Sequence, residues 1–190
     1  RVYGEGQRAV FSEKQIFKNW NYIPYADFPE LDDVVLGCDF GFSQDNLAIV
    51  KVGRHNDKLY IHELMYKKGM TNRDIAEFIK QQNLNDMLMY CDSAEPKSIE
   101  ELRQMSVWAK PAVKGQGSIN AGISLLKEFD IYVSEESMNI LKEQQSYIYD
   151  ELKDGTIINK PKANQQDHLL DSIRYCVYSR WRNRNDFFVV

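Results

Sequence analysis

Two apolar runs in this 190-residue chain end in the same pair, Cys-Asp: VVLGCDFG, closed by Asp39, and MLMYCDSA, closed by Asp92. Short apolar runs without polar alternation predict strands buried on both faces. An ionised carboxylate in such a place is costly unless it neutralises, pairs or binds a cation. The two runs therefore belong inside a sheet covered on both sides, with both acids at C-terminal strand ends. In open α/β sheets, sites gather at that edge.

The surrounding pattern extends this sheet. Val34 to Phe40, LAIVKV and KLYIHELMY, the last two joined at HND, predict three successive antiparallel strands. TNRDIAEFIKQQN predicts a helix capped by Thr71 or Asn72, and AEPKSIEELRQM one that opens with Pro96. VWAKPAV and IYVS read as strands around the helix SINAGISLLKEF, and EESMNILKEQQ as a further helix. SYIYDELKDGTIINK reads as a hairpin turning at Asp154-Gly155, and a last helix runs from Asp167 to Trp181. A meander followed by alternating helices and strands implies an α/β mixed sheet with helices on both faces and a β-hairpin before the last helix. Residues 1–30, broken by Pro24 and Pro29, read as a lead-in packed on the outside, and 31–190 as a single domain.

Composition narrows what such a domain can do. A hydrophobic share of 43% over this length supports one sizeable core. With 24 Lys and Arg against 28 Asp and Glu, the formal charge of -4 excludes a generally basic nucleic-acid coat, so any polyanion must be met by local patches or metal. Cys38, Cys91 and Cys176 lie in apolar or amphipathic segments without metal-ligand spacing and read as reduced, buried thiols, which suits an intracellular protein. No run is long and apolar enough to span a bilayer, and none reads as a secretory signal. A start at Arg1 rather than Met suggests a piece of a longer chain.

The last helix, DHLLDSIRYCVYSRW, supplies a third acid. At its periodicity Leu169, Leu170, Ile173, Cys176 and Val177 form an apolar stripe, while His168 and Asp171 lie about 60° apart on the other side. Asp39, Asp92, Asp171 and His168 around one point suit Mg²⁺ or Mn²⁺, ions that prefer oxygen ligands. Two such ions can activate a water and stabilise the leaving oxygen of a phosphodiester. Plainer uses stay open: Asp39 can mark the strand exit at Gly41, Asp92 can cap the next helix, and Asp171 suits a helix's first turn. His168 can be a surface histidine, and Asp167 is the expected helix cap and a rival third acid.

Taken together, DFGFSQDNLAIVKV, CDSAEP, DHLLDSIRY and the lead-in VFSEKQIFKNW resemble the C-terminal nuclease domain of the large terminase subunit of tailed bacteriophages, over nearly the whole chain. The resemblance implies an RNase H-like fold and an endonuclease that cuts double-stranded phage DNA concatemers during headful packaging. It implies two divalent metal ions, Mg²⁺ or Mn²⁺, with Asp39, Asp92 and Asp171 as catalytic metal ligands. His168 then sits where some members carry an extra ligand or proton-handling group. It also implies an ATPase domain elsewhere in the full-length chain, since G-x-x-x-x-G-K-[ST] is absent here, with residues 1–30 as the end of an interdomain linker. The portal and small terminase subunit are further expected partners, and the host cell cytoplasm, not the mature virion or a membrane, the expected place.

Candidate DNA contacts are Lys110 and Lys114 in the acid-free stretch WAKPAVKGQGSINAGISLLK, Lys153, Lys160 and Lys162 around the hairpin, and Arg174. The absence of a base-reading motif predicts phosphate contacts and sequence-independent cutting. Two other functions remain open: a junction resolvase or transposase-type nuclease on the same fold, and a catalytically silent clamp for DNA or the portal.

Overall fold

The computed structural model describes residues 12–41 and 45–183. Residues 1–11, 42–44 and 184–190 lie outside the described residues, and with them the first part of the expected lead-in and the Phe42-Ser43-Gln44 turn. The strands are β1 (Asn21–Ile23), β2 (Asp33–Asp39), β3 (Asn46–His55), β4 (Lys58–Lys68), β5 (Met89–Cys91), β6 (Ala109–Pro111), β7 (Asp130–Ser134), β8 (Tyr149–Glu151) and β9 (Ile157–Pro161). The α-helices are α1 (Asn72–Gln81), α2 (Pro96–Gln104), α3 (Ser118–Lys127), α4 (Met138–Ser146) and α5 (His168–Trp181).

Seven strands form one mixed sheet in the order β1-β7-β4-β3-β2-β5-β6. The expected meander is present: β2, β3 and β4 pair antiparallel, and β5 then adds to β2 in parallel, with β6 beyond it. The β3–β4 turn is tight because Asn56 takes φ 55°, a left-handed conformation that asparagine tolerates. β8 and β9 form a separate two-stranded ribbon, turning at Gly155 with φ 85°.

Strand alternation then divides the core. Leu36, Cys38, Leu47, Ile49, Met89 and Cys91 pack with α1 and α2, while Val35, Ala48, Val50 and Val52 pack with α3, α4 and α5 on the other face. Asp39 has the parity of Val35 and Gly37, so it points to the α5 side. The three cysteines are buried and unlinked. No helix of the described residues is long and apolar enough to cross a membrane.

Two expectations change. The lead-in does not simply lie outside: Ile16 and Phe17 are in the core, and β1 pairs parallel with β7. Its short edge strand is held by a partner more than a hundred residues away, so no local periodicity marks it. Burial on α5 also extends beyond the expected apolar stripe, to Ser172, Arg174 and Ser179. The helix crosses β2 so closely that a Cβ on Gly37 would lie 2.1 Å from the Ser172 carbonyl oxygen.

Candidate active site

The parallel register of β2 and β5 pairs Cys38 with Cys91, and the Asp92 N–H donates to the Cys38 carbonyl at 3.0 Å. Asp39 and Asp92 thus leave adjacent strands at one sheet edge. Gly37 admits α5 onto β2, and this close crossing sets the helix's first turn above Asp39. Ser172 Oγ pins that turn, within 3.0 Å of the Ala48 carbonyl and 2.9 Å of the His168 carbonyl. His168 Nδ1 lies 2.9 Å from Asp39 Oδ2.

Each acid meets a cation of the chain. Asp39, 8% exposed, has its pKa raised by burial and by the Asp171 and Asp92 charges, against the pull of His168. The hydrogen bond to Asp39 in turn lifts His168 to about 9 despite its partial burial. Asp92 accepts from the Lys114 ammonium and, at 2.8 Å, from the Ala94 N–H. Burial opposes its charge, but these donors outweigh burial and hold its pKa below the ordinary carboxylate value. Asp171 Oδ1 accepts from Arg174 Nη2 at 2.8 Å. Tyr175 joins two of the acids, its hydroxyl 3.4 Å from Asp92 Oδ2 and 3.3 Å from Asp171 Oδ2.

Among the described residues no group of three or more His, Cys, Asp or Glu side chains is arranged so that it could hold a metal ion. The carboxylates are instead turned onto Lys114, His168 and Arg174. The donor chemistry still fits a divalent ion: three acids from β2, β5 and α5 share one edge, and Asp171 and Asp92 both raise the pKa of Asp39.

Several neighbours escaped the sequence reading. Arg174, expected as a DNA contact, is buried and paired with Asp171, three residues away on the same helix. Tyr175 stands one turn beyond Asp171, a spacing that does signal contact. Asp167 holds the N-cap position of α5 without a side-chain cap, its pKa pushed to about 6 by burial and the Asp171 charge. The capping is done from α4, where Glu143 Oε2 accepts from the Leu169 and Leu170 N–H groups at 2.9 and 3.1 Å. Its signal was an acid three residues after Ile140, inside a buried stripe. Asp92 does not cap α2, whose N-cap position is Glu95.

Beside the acids a groove of about 490 Å³ runs between α3, β9 and α5, lined by Lys114, Lys160, Asp171, Arg174 and Tyr175 among others. Lys110, Lys153 and Lys162 are exposed and do not line it.

A family model described as "Terminase RNAseH like domain" matches residues 39–179. The chain belongs to this terminase RNase H-like domain family. The PBSX phage terminase large subunit of Bacillus subtilis (strain 168) is 31% identical over 144 residues, which cover 74% of this chain and 33% of that protein. The large terminase subunit of Bacillus phage SPP1 is 27% identical over 157 residues, 79% of this chain and 37% of its own length. This terminase chain thus spans about a third of the curated relatives it matches. The crystal structure of the g2p nuclease domain of bacteriophage SPP1 with bound Mn superposes with a TM-score of 0.75 at 24% identity, covering 85% of this chain and 96% of that one. The large terminase nuclease from thermophilic phage G20c with bound magnesium gives 0.67 at 19%, covering 89% and 98%. The RNase H-like terminase nuclease fold expected from the motifs is therefore the fold observed.

Proposed function

We propose that this domain is a metal-dependent endonuclease that cuts double-stranded phage DNA concatemers, largely without regard to sequence, during headful packaging. What supports the reading is that Asp39 and Asp92 end adjacent strands, that His168 on α5 reaches Asp39 and Tyr175 reaches both Asp92 and Asp171, and that a groove with cationic walls lies beside them. Asp39, Asp92 and Asp171 would hold two Mg²⁺ or Mn²⁺ ions, with His168 as an added ligand or proton-handling group. When bound, such ions supply an activated water and stabilise the leaving oxygen. The chain's own part is to aim the carboxylates: Gly37 and Ser172 fix α5 over β2, Tyr175 spaces Asp92 from Asp171, and Lys160 can meet a backbone phosphate.

Within the longer protein, residues 1–30 would end the linker from an ATPase domain. The portal and small subunit would be partners, and the host cytoplasm the site of action. The names of the relatives, large subunits of terminases, support a longer chain with a companion subunit.

The test is incubation of the purified chain with supercoiled plasmid in Mg²⁺, Mn²⁺ or EDTA. Cleavage should require metal, and Asp39→Asn, Asp92→Asn and Asp171→Asn should each lower it by about a thousandfold, the scale of lost transition-state charge stabilisation. Circular dichroism should show folded variants. Cleavage in EDTA, or full activity in all three, would overturn the reading.

A further inference from the structure

The three cations on the acids are not held alike. Arg174 is fixed, with its side chain 6% exposed, its guanidinium 4.9 Å from the Tyr175 ring centre, and its stem against Gly122. His168 sits on the helix that Gly37 and Ser172 lock in place. Lys114 belongs to the loop between β6 and α3. Its backbone neighbourhood is anchored, since the Ala112 N–H donates to the Cys91 carbonyl at 2.7 Å and the Val113 N–H to Ser179 Oγ at 2.9 Å. Its ammonium, in contrast, ends a flexible stem a third exposed to solvent, touching Asp92 and lying 4.6 Å from the Tyr175 ring centre. The same side chain forms a wall of the groove that contains Lys160.

We propose that Lys114 is a displaceable counter-ion which occupies the cation position at Asp92 until a divalent ion takes it, and is then released into the groove to hold a DNA phosphate. The inference rests on the nuclease reading above and adds regulation to it. One ammonium cannot neutralise Asp92 and grip a phosphate at full strength together, so metal uptake frees Lys114 for DNA. By linkage, DNA that draws Lys114 away strengthens metal binding by the same factor. A lysine suits this exchange better than an arginine, because it is a point charge on a four-carbon stem rather than a planar fork. Without metal the acids stay paired and the scissile strand lacks a ligand, which keeps the site quiet until both are present.

The test uses Mn²⁺ alone, titrated into the purified chain by calorimetry without DNA. Lys114→Met removes the charge and keeps the length, and it should bind Mn²⁺ about fivefold more tightly than wild type, the order a partly exposed ion pair provides. Lys114→Arg keeps the charge on a planar fork and should bind Mn²⁺ no more tightly than wild type, which separates charge from packing; tighter binding by Lys114→Arg would overturn the proposal, and melting curves should show both folded. In cleavage assays at limiting DNA, Lys114→Met should show a shallower dependence of log kcat/KM on log salt by about one unit, as expected when one phosphate is no longer neutralised. Unchanged or weaker Mn²⁺ binding by Lys114→Met would overturn the proposal while leaving the nuclease reading intact. An unchanged salt slope would overturn the release into the groove. Mn²⁺ uptake absent in wild type, or equal in wild type and Asp39→Asn, would remove the metal site and the proposal with it.

Discussion

At the scale of single residues, the candidate site is a set of ion pairs rather than a cluster of repelling acids. The sequence shows the acids but not their partners, and like charges alone would predict that Asn variants are more stable without metal. With Arg174 buried against Asp171, the sign reverses there: Asp171→Asn weakens the ion pair of a buried guanidinium, a loss that costs about 3 kcal/mol when the partner is removed outright and less when an amide still accepts. Glu143 is the residue whose charge is most at odds with its place. Burial pushes its pKa to about 7, against the Leu169 and Leu170 N–H groups, Tyr66 from β4 and His168 from α5. Between about 4.5, its unfolded value, and about 7 the folded state therefore holds more protons, and stability falls as pH rises through that window. His168 adds the same sign higher up: its contribution is complete below its unfolded value of 6.5 and lost as pH rises through about 9. Glu143→Gln keeps an acceptor for α5 and cannot titrate. Urea denaturation in EDTA should show it gaining about 1–3 kcal/mol on wild type between about pH 5 and about pH 8. An equal difference at both pH values would show that Glu143 stays ionised throughout.

At the scale of elements, legibility followed period and length. The helices α1 to α5 and strands β2 to β4 announce themselves through caps, Pro96, and apolar runs of adequate length. β1 does not, because a three-residue edge strand is specified by β7 and not by its own pattern. For α5 the stripe of Leu169, Leu170, Ile173, Cys176 and Val177 was readable, yet its opposite face was not solvent. α3 crosses it, a Cβ on Gly122 would meet Arg174 Cγ at 2.6 Å, and Arg174 is buried there as a result. Close crossings depend on glycines that carry no periodic signal, and Gly37 is the sharpest case. Its neighbour is backbone, the Ser172 carbonyl, which cannot rotate away. Gly37→Ala should therefore destabilise the domain by about 3 kcal/mol or more, the upper range of overpacking, and cut cleavage by lifting His168 from Asp39. Gly122→Ala meets a side chain that can move and should cost less. Urea denaturation of the two variants gives the comparison, and a Gly37→Ala protein as stable as wild type would show that α5 can ride higher on the sheet.

At the scale of the whole molecule, the proposed ligands come from three distant stretches of chain. Asp39 and Asp92 end neighbouring strands, whereas Asp171 sits on the helix laid across them. The acids and their strand ends were legible because charge at the close of an apolar run is rare. That they would face one point was an expectation conditional on β2 lying beside β5; that pairing is present, whereas the α5 crossing through Gly37 carried no local signal. An ion bound between them would fasten α5 to the sheet across the core shared by α3, α4 and α5. A ligand that binds only the folded state adds RT ln(1 + [L]/Kd), about 2.7 kcal/mol at a hundred times Kd. For a chain of this length that corresponds to a rise in Tm of about 5–10 °C. Differential scanning calorimetry in Mn²⁺ against EDTA should show this rise in wild type. Asp39→Asn should show a much smaller one, because it removes the ligand that joins β2 to the ion and leaves His168 without its carboxylate. Equal shifts in the two proteins would mean that Mn²⁺ stabilises the fold from some other surface, and the three acids would then be ion-pair partners only.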